Sequence, residues 1–166
     1  MATRHSLKIL LAVAEARKTA LQNGALYFYS GSQPASPNSA PSGTLLGIAT
    51  LAGGAFTHGI ATNGLTFAAP VIDGENVKLS KPAGQDWKIN FSAAGTIGWC
   101  RYKANPVDND LADPTGLLAR LDLSVSLESG TGDIKVSKLT YAAGETGQMT
   151  TFNLTESNAL QPALPL

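Results

Sequence analysis

At Gly24 the periodicity of the chain changes, and it does not change back. Before that point apolar residues recur at helical spacing; after it they come in short β-prone runs separated by Gly, Pro, Ser and Asn. A single helix followed by about eight short strands, with no helix between them, cannot form βαβ units, so a doubly wound parallel sheet is excluded. What remains is an antiparallel sandwich or barrel. A mainly β antiparallel sandwich with one N-terminal helix is expected, jelly-roll or immunoglobulin-like, since both write short alternating strands with turn signals.

The helix is expected over Ser6 to Asn23. Leu7, Leu10, Leu11, Ala14, Lys18 and Leu21 share one stripe, Ser6 is the candidate N-cap and Gly24 the stop. Ile9, Val13, Ala16 and Ala20 form a second apolar flank, so the helix either covers one end of a sheet or is shared between subunits. Strands are expected at Ala25–Ser30, Thr44–Leu51, Leu65–Phe67, Val77–Leu79, Trp87–Ser92, Thr96–Lys103, Arg120–Leu127, Ile134–Leu139 and Gln148–Thr155. Between them lie a proline- and serine-rich loop, Gly31 to Gly43, and an irregular one, Ala104 to Gly116, whose aspartates read as solvated. The expected organisation is therefore a helix at 1–24, a β-domain at 25–156 and a proline-bearing tail at 157–166.

Twelve basic and twelve acidic side chains cancel, so no long-range field draws the chain to nucleic acid or an anionic membrane. Charged residues are only 14% of the chain, against roughly 25% in an average soluble domain. A neutral, hydroxyl-rich surface keeps monomers apart poorly, which favours burial against neighbours and a homo-oligomer, dimer or trimer. One cysteine, Cys100, excludes an internal disulfide, and with His5 and His58 alone beside it no zinc site is expected. The apolar run Leu7–Ala16 is too short to span a membrane, and Lys8 and Glu15 interrupt it as a signal peptide, so folding in a cytoplasm is expected.

No enzyme is expected. Neither histidine lies in a catalytic motif, there is no G-x-S-x-G, and Cys100 follows Trp99 inside a strand, where a buried thiol is the ordinary reading. Asp108, Asp110 and Asp113 are calcium-type ligands without the glycine and distal glutamate of an EF-hand loop. Gly130-Thr131-Gly132-Asp133 reads as a turn between strands rather than a phosphate cradle, because no helix follows it. In the run Tyr27-Phe28-Tyr29, Phe28 faces the core, which leaves Tyr27 and Tyr29 exposed for a protein interface or a sugar. Trp99, Arg101 and Lys103 share one strand face, an exposed basic edge or a salt-bridged one. No cofactor, metal ligand or catalytic residue is assigned.

Three stretches carry a resemblance: Tyr27-Phe28-Tyr29-Ser30-Gly31-Ser32-Gln33-Pro34-Ala35, then Ala40-Pro41-Ser42-Gly43-Thr44-Leu45-Leu46, then Gly95-Thr96-Ile97-Gly98-Trp99-Cys100-Arg101-Tyr102. Together with Arg120–Val125, Gly132-Asp133-Ile134 and the Phe152 strand, they resemble a family of small proteins from tailed phages and prophages. The pattern there is Y-x-G-x-Q-P, a proline-rich loop, T-L-L and a later G-T-x-G-W-x-R. This chain departs in Cys100, where Phe is usual, in Leu123, where glycine is usual, and in the insertion-like Asn105–Gly116. The resemblance implies a virion structural role without catalytic residues. The expectation is a capsid decoration or cement protein bound to the major capsid protein, with a tail, neck or fibre component as the alternative and a carbohydrate-binding module third. Candidate interface residues are Leu7, Leu10, Leu11 and Ala14 on the helix, Tyr27 and Tyr29, Pro34, Pro37 and Pro41 in the first loop, and Pro162 and Pro165 in the tail.

Overall fold

A computed structural model describes residues 4–157 of the chain; Pro162 and Pro165 lie outside them. Helix α1 spans Leu7–Ala20, and the Ser6 hydroxyl caps it by accepting from the Ile9 N–H at 3.4 Å. The helix does not end on Gly24. Asn23 takes the left-handed conformation, φ 57°, which its short polar side chain tolerates. Gly24 serves packing instead, since a Cβ there would lie 2.2 Å from the Lys103 carbonyl oxygen.

Eleven strands follow: β1 (Ala25–Tyr29), β2 (Leu45–Leu51), β3 (Val71–Asp73), β4 (Asn76–Ser80), β5 (Trp87–Phe91), β6 (Gly95–Thr96), β7 (Trp99–Lys103), β8 (Arg120–Leu127), β9 (Ile134–Val136), β10 (Thr140–Tyr141) and β11 (Thr146–Ser157). Leu65–Phe67 is not a strand; Leu65 makes only an isolated bridge to Gly24. The expected run Thr96–Lys103 breaks at Ile97 and Gly98, whose N–H groups donate to Leu139 and Tyr29, so β6 turns away to pair with β10.

The sandwich expectation, jelly-roll or immunoglobulin-like, is overturned. The main sheet runs β11-β5-β2-β1-β7-β8-β9, and β9 pairs back onto β11, which closes seven strands into one barrel. It is also mixed: β8 and β9 are parallel, with Val125 beside Ile134 and Leu127 beside Val136. Parallel neighbours ordinarily need a long crossover. Here the return is the glycine turn at 130–133, folded directly over β8. The Gly132 N–H donates to Ser126 Oγ, and a Cβ on Gly132 would lie 2.9 Å from Ser126 N. The glycine turn between these strands therefore brings the chain back in the same direction.

β11 does two jobs along its length. Thr146–Gln148 pairs with β5, Met149–Phe152 with β9, and Asn153–Ser157 with β4 of the β3–β4 hairpin. Helix α1 lies on that hairpin and on β11, with Leu10 and Ala14 buried against Val77 and an Arg17–Glu156 ion pair at 2.5 Å. Inside the barrel Phe67 packs on Trp87, Tyr102 and Phe152 with ring centroids 5.2–5.6 Å apart, at the edge-on and tilted angles aromatic quadrupoles favour. Leu26, Phe28, Ile89, Cys100, Leu123, Ile134 and Met149 fill the remainder, so the interior is a packed core and not a channel. The Tyr102 hydroxyl is satisfied there by the Leu21 and Leu65 carbonyls. No helix among the described residues is long and apolar enough to cross a membrane.

Candidate interaction surfaces

Alternation along β1 and β7 sends Tyr27, Tyr29, Trp99, Arg101 and Lys103 to the outer face of the barrel, yet every one of them is buried. Three loops cover them, and this corrects the expectation of exposed tyrosines and of a solvated aspartate loop. The basic face is the salt-bridged one of the two readings left open. Arg101 forms a two-pronged pair with Asp122 on the neighbouring strand, at 2.6 and 2.8 Å, and its third donor reaches the Ser39 carbonyl at 2.8 Å. Arg120 grips Asp108 with two bonds of 2.6 Å and also donates to the Leu111 carbonyl. Lys103 donates to Asp110 at 2.7 Å with its ammonium 3.5 Å over the Tyr27 ring.

These pairs anchor loops. Ser39 and Ser42 of the proline-rich segment are held by Arg101 and by the Trp99 indole N–H, 3.3 Å from the Ser42 carbonyl. Pro34, Pro37 and Pro41 sit half-buried in that seated loop. The segment 104–119 is tied by Asp108 and Asp110, and also by Asp113, which takes the Leu118 N–H and the Thr115 hydroxyl and gives its own N–H to Asn38. The segment after β2 is fixed by His58, whose ring lies parallel to Tyr27 and whose Nε2 is 3.0 Å from the Tyr27 hydroxyl. Because planar bidentate pairs have one good geometry, they fix position more strictly than a lone ammonium does.

The electrostatics follow from this burial. Desolvation pushes the Tyr27 hydroxyl up to about 12 and lowers the Lys103 ammonium, against the pull of Asp110. At Asp108 burial acts to raise the carboxyl, but the bonds from Arg120 and from the Asp110 N–H outweigh it and hold the group below the usual carboxylate range. Burial also raises the Cys100 thiol well above its ordinary value, so it is no nucleophile at neutral pH. The three aspartates do not converge: each faces a cation or backbone donors of its own, and no cluster of three His, Cys, Asp or Glu able to hold a metal exists among the described residues. The Tyr29 hydroxyl donates to Asp110 at 3.2 Å.

The anchored loop at 104–119 carries three large apolar side chains outward: Val107, Leu111 and Leu117 are 73%, 62% and 85% exposed. On α1, Leu7 and Leu11 are half-buried and Leu10 and Ala14 face their own β4, while Ile9 and Val13 stay exposed; beside them β3 exposes Val71 and Ile72. Counting around the barrel, β1 and β7 each lie three strands from β11. The two apolar surfaces are therefore on opposite sides of one rigid body. Sequence reasoning missed the loop surface because Val107, Leu111 and Leu117 have no periodicity; the signal was the presence of large apolar side chains in a segment rich in Asp, Asn and Pro.

Comparison with family models, with curated proteins and with solved structures finds no match.

Proposed function

We propose that this chain is a structural protein of a tailed-phage particle, a capsid decoration or cement protein that stabilises the shell by bridging neighbouring subunits. The observation that carries this reading is the pair of exposed apolar surfaces on opposite sides of a barrel whose covering loops are clamped in place. Exposed apolar side chains presented on rigid elements mark protein contacts, because little ordering entropy is spent on docking them. Two such surfaces on one body let each copy join two partners, either two capsid subunits or two further copies. The low charge and the resemblance of Tyr27–Ala35 and Gly95–Tyr102 to phage proteins support the same class of function.

The opposed placement also favours a second station in the particle. A contact that joins one side of a copy to the other side of the next is heterologous, and such contacts give rings where the rotation between copies closes and open helical assemblies where it does not, the two forms a neck ring or a tail takes. Copy number per purified particle, by quantitative mass spectrometry against the major capsid protein, separates the two. A simple fraction of the capsid subunit number establishes decoration, a few dozen copies or fewer a neck, tail or fibre role, and absence from particles overturns both. A cement protein also raises the melting temperature of capsids to which it binds, by mass action on the assembled state.

A further inference from the structure

The outward flank of α1 carries Ile9 and Val13, 49% and 42% exposed, with Ala16 and Ala20 exposed beside them. Ile9, Val13 and Arg17 stand four residues apart, a spacing that sets side chains in one row along a helix. That row ends at a definite place. Arg17 pairs with Glu156, and Glu156 and Ser157 lie opposite Val77 and Asn76 of β4, so the chain leaves β11 beside the last turn of the helix. The segment that follows, Asn158-Ala159-Leu160-Gln161-Pro162-Ala163-Leu164-Pro165-Leu166, therefore sets out from the foot of the row. It has no charged side chain, and all of it but Asn158 and Gln161 is Ala, Leu or Pro. Ile9 lies two helical turns beyond Arg17, roughly 12 Å, whereas the segment, fully extended, reaches about 30 Å.

We infer that the flank of α1 is the docking site of residues 158–166 of the same chain, whose leucines cover Ile9 and Val13. Tethering favours the chain's own segment over that of a second copy: Ser157 holds it beside the flank at an effective concentration in the millimolar range. The edge of β3, unpaired among the described residues, is the poorer site, because Pro162 and Pro165 have no N–H to give to a strand. Packing of side chains is the contact the segment can make. Leucine and alanine against isoleucine and valine take apolar surface out of water on both partners, and neither side has a charge to desolvate. The consequence rests on the reading of two apolar sides and gives them an order. The α1 side opens to a partner only when the segment is displaced, so the side with Leu111 and Leu117 docks first.

The test is methyl NMR of the full chain, dilute, with a nitroxide attached at Gln161→Cys. Cys100 is fully buried, so the label goes to the introduced thiol alone. The expected result is strong broadening of the Ile9, Val13, Ala16 and Ala20 methyl signals and much weaker broadening of Ile72. Ile72 is the control because it lies two strands across from Glu156, roughly 10 Å, about as near the exit of the chain as Ile9. Val13→Gln is expected to reduce the broadening at Ile9 and Ala16 severalfold while the core methyl signals of Leu26 and Ile89 stay in place, and Leu164→Asn to do the same from the other partner. Equal broadening at Ile9 and Ile72, which an undocked segment gives, or unchanged broadening in both variants overturns the inference. So does broadening passed from spin-labelled chains to chains without the nitroxide in a mixed sample, which assigns the flank to a second copy. Capsid binding enters none of these measurements, so the docked segment and the structural role stand or fall separately.

Discussion

Asp122 and Asp73 are both paired aspartates, but burial makes them different. Asp122 and Arg101 are 1% and 0% exposed, whereas Asp73 and Lys78 lie largely in solvent. Asp122→Asn would leave a guanidinium in the dry layer under the proline-rich loop with its charge uncompensated, at a cost of about 3–5 kcal/mol. Asp73→Asn is expected to cost less than about 1 kcal/mol. Urea unfolding at neutral pH compares them directly, and equal midpoints would mean that the Arg101 pair does not seat the loop. At this scale the sequence was partly legible. Alternation placed Phe28 and Cys100 inward correctly, but it also placed Tyr27 and Tyr29 outward and hence in water, and it left Arg101 and Lys103 open between an exposed edge and a salt-bridged one. Alternation reports which face a residue takes and says nothing of what later comes to lie on that face. The cover is supplied by residues 36–42, by the segment around His58 and by residues 104–119, which have no pattern of their own.

Helix α1 was readable because spacing, N-cap and C-terminal turn lie within one short segment. Most strands were readable for the same reason. Their pairing was not, since a parallel and an antiparallel neighbour place the same alternation on β9, and the return over Ser126 rests on two glycines that also suit an ordinary hairpin. Gly132 tests this. Gly132→Ala would place a Cβ against the backbone of Val125 and Ser126, an overpacking of about 1–3 kcal/mol. The expected consequence is loss of amide-exchange protection at Ile134–Val136, the seam of the barrel, beyond that in β1 and β7. Uniform protection in the variant would show that β11 alone holds β9 in place.

For the molecule as a whole, anchoring by carboxylates implies acid lability. The Asp108 carboxyl is held below its ordinary value in the folded chain. The stability it contributes is therefore complete above the unfolded carboxylate pKa, about 3.9, and is lost as pH falls through the folded value. Melting temperature measured across acid pH is expected to fall steeply in that window, and Asp108→Asn to lower stability at neutral pH while flattening the fall; a parallel curve would remove Asp108 from the acid response. The exposed surfaces predict the reverse pattern, function lost without stability. Leu111→Lys and Leu117→Lys are expected to change folding stability by no more than about 0.5 kcal/mol and to abolish capsid binding or self-association in co-sedimentation. Retained binding in both would move the contact to the α1–β3 side.

β11 follows in the chain every strand it joins. β4, β5 and β9 have all been made before Thr146 appears, and none can complete its pairing until then. During synthesis the growing polypeptide thus holds an open, apolar trough with unpaired edges, and folding waits for a single late segment, a slow and association-prone arrangement. The same dependence makes the gap a socket of defined shape. A chain ending before Thr146, supplied with a separate peptide of sequence 146–157, is expected to recover the near-ultraviolet signal of packed Trp87 and Trp99, whereas a scrambled peptide leaves it unfolded.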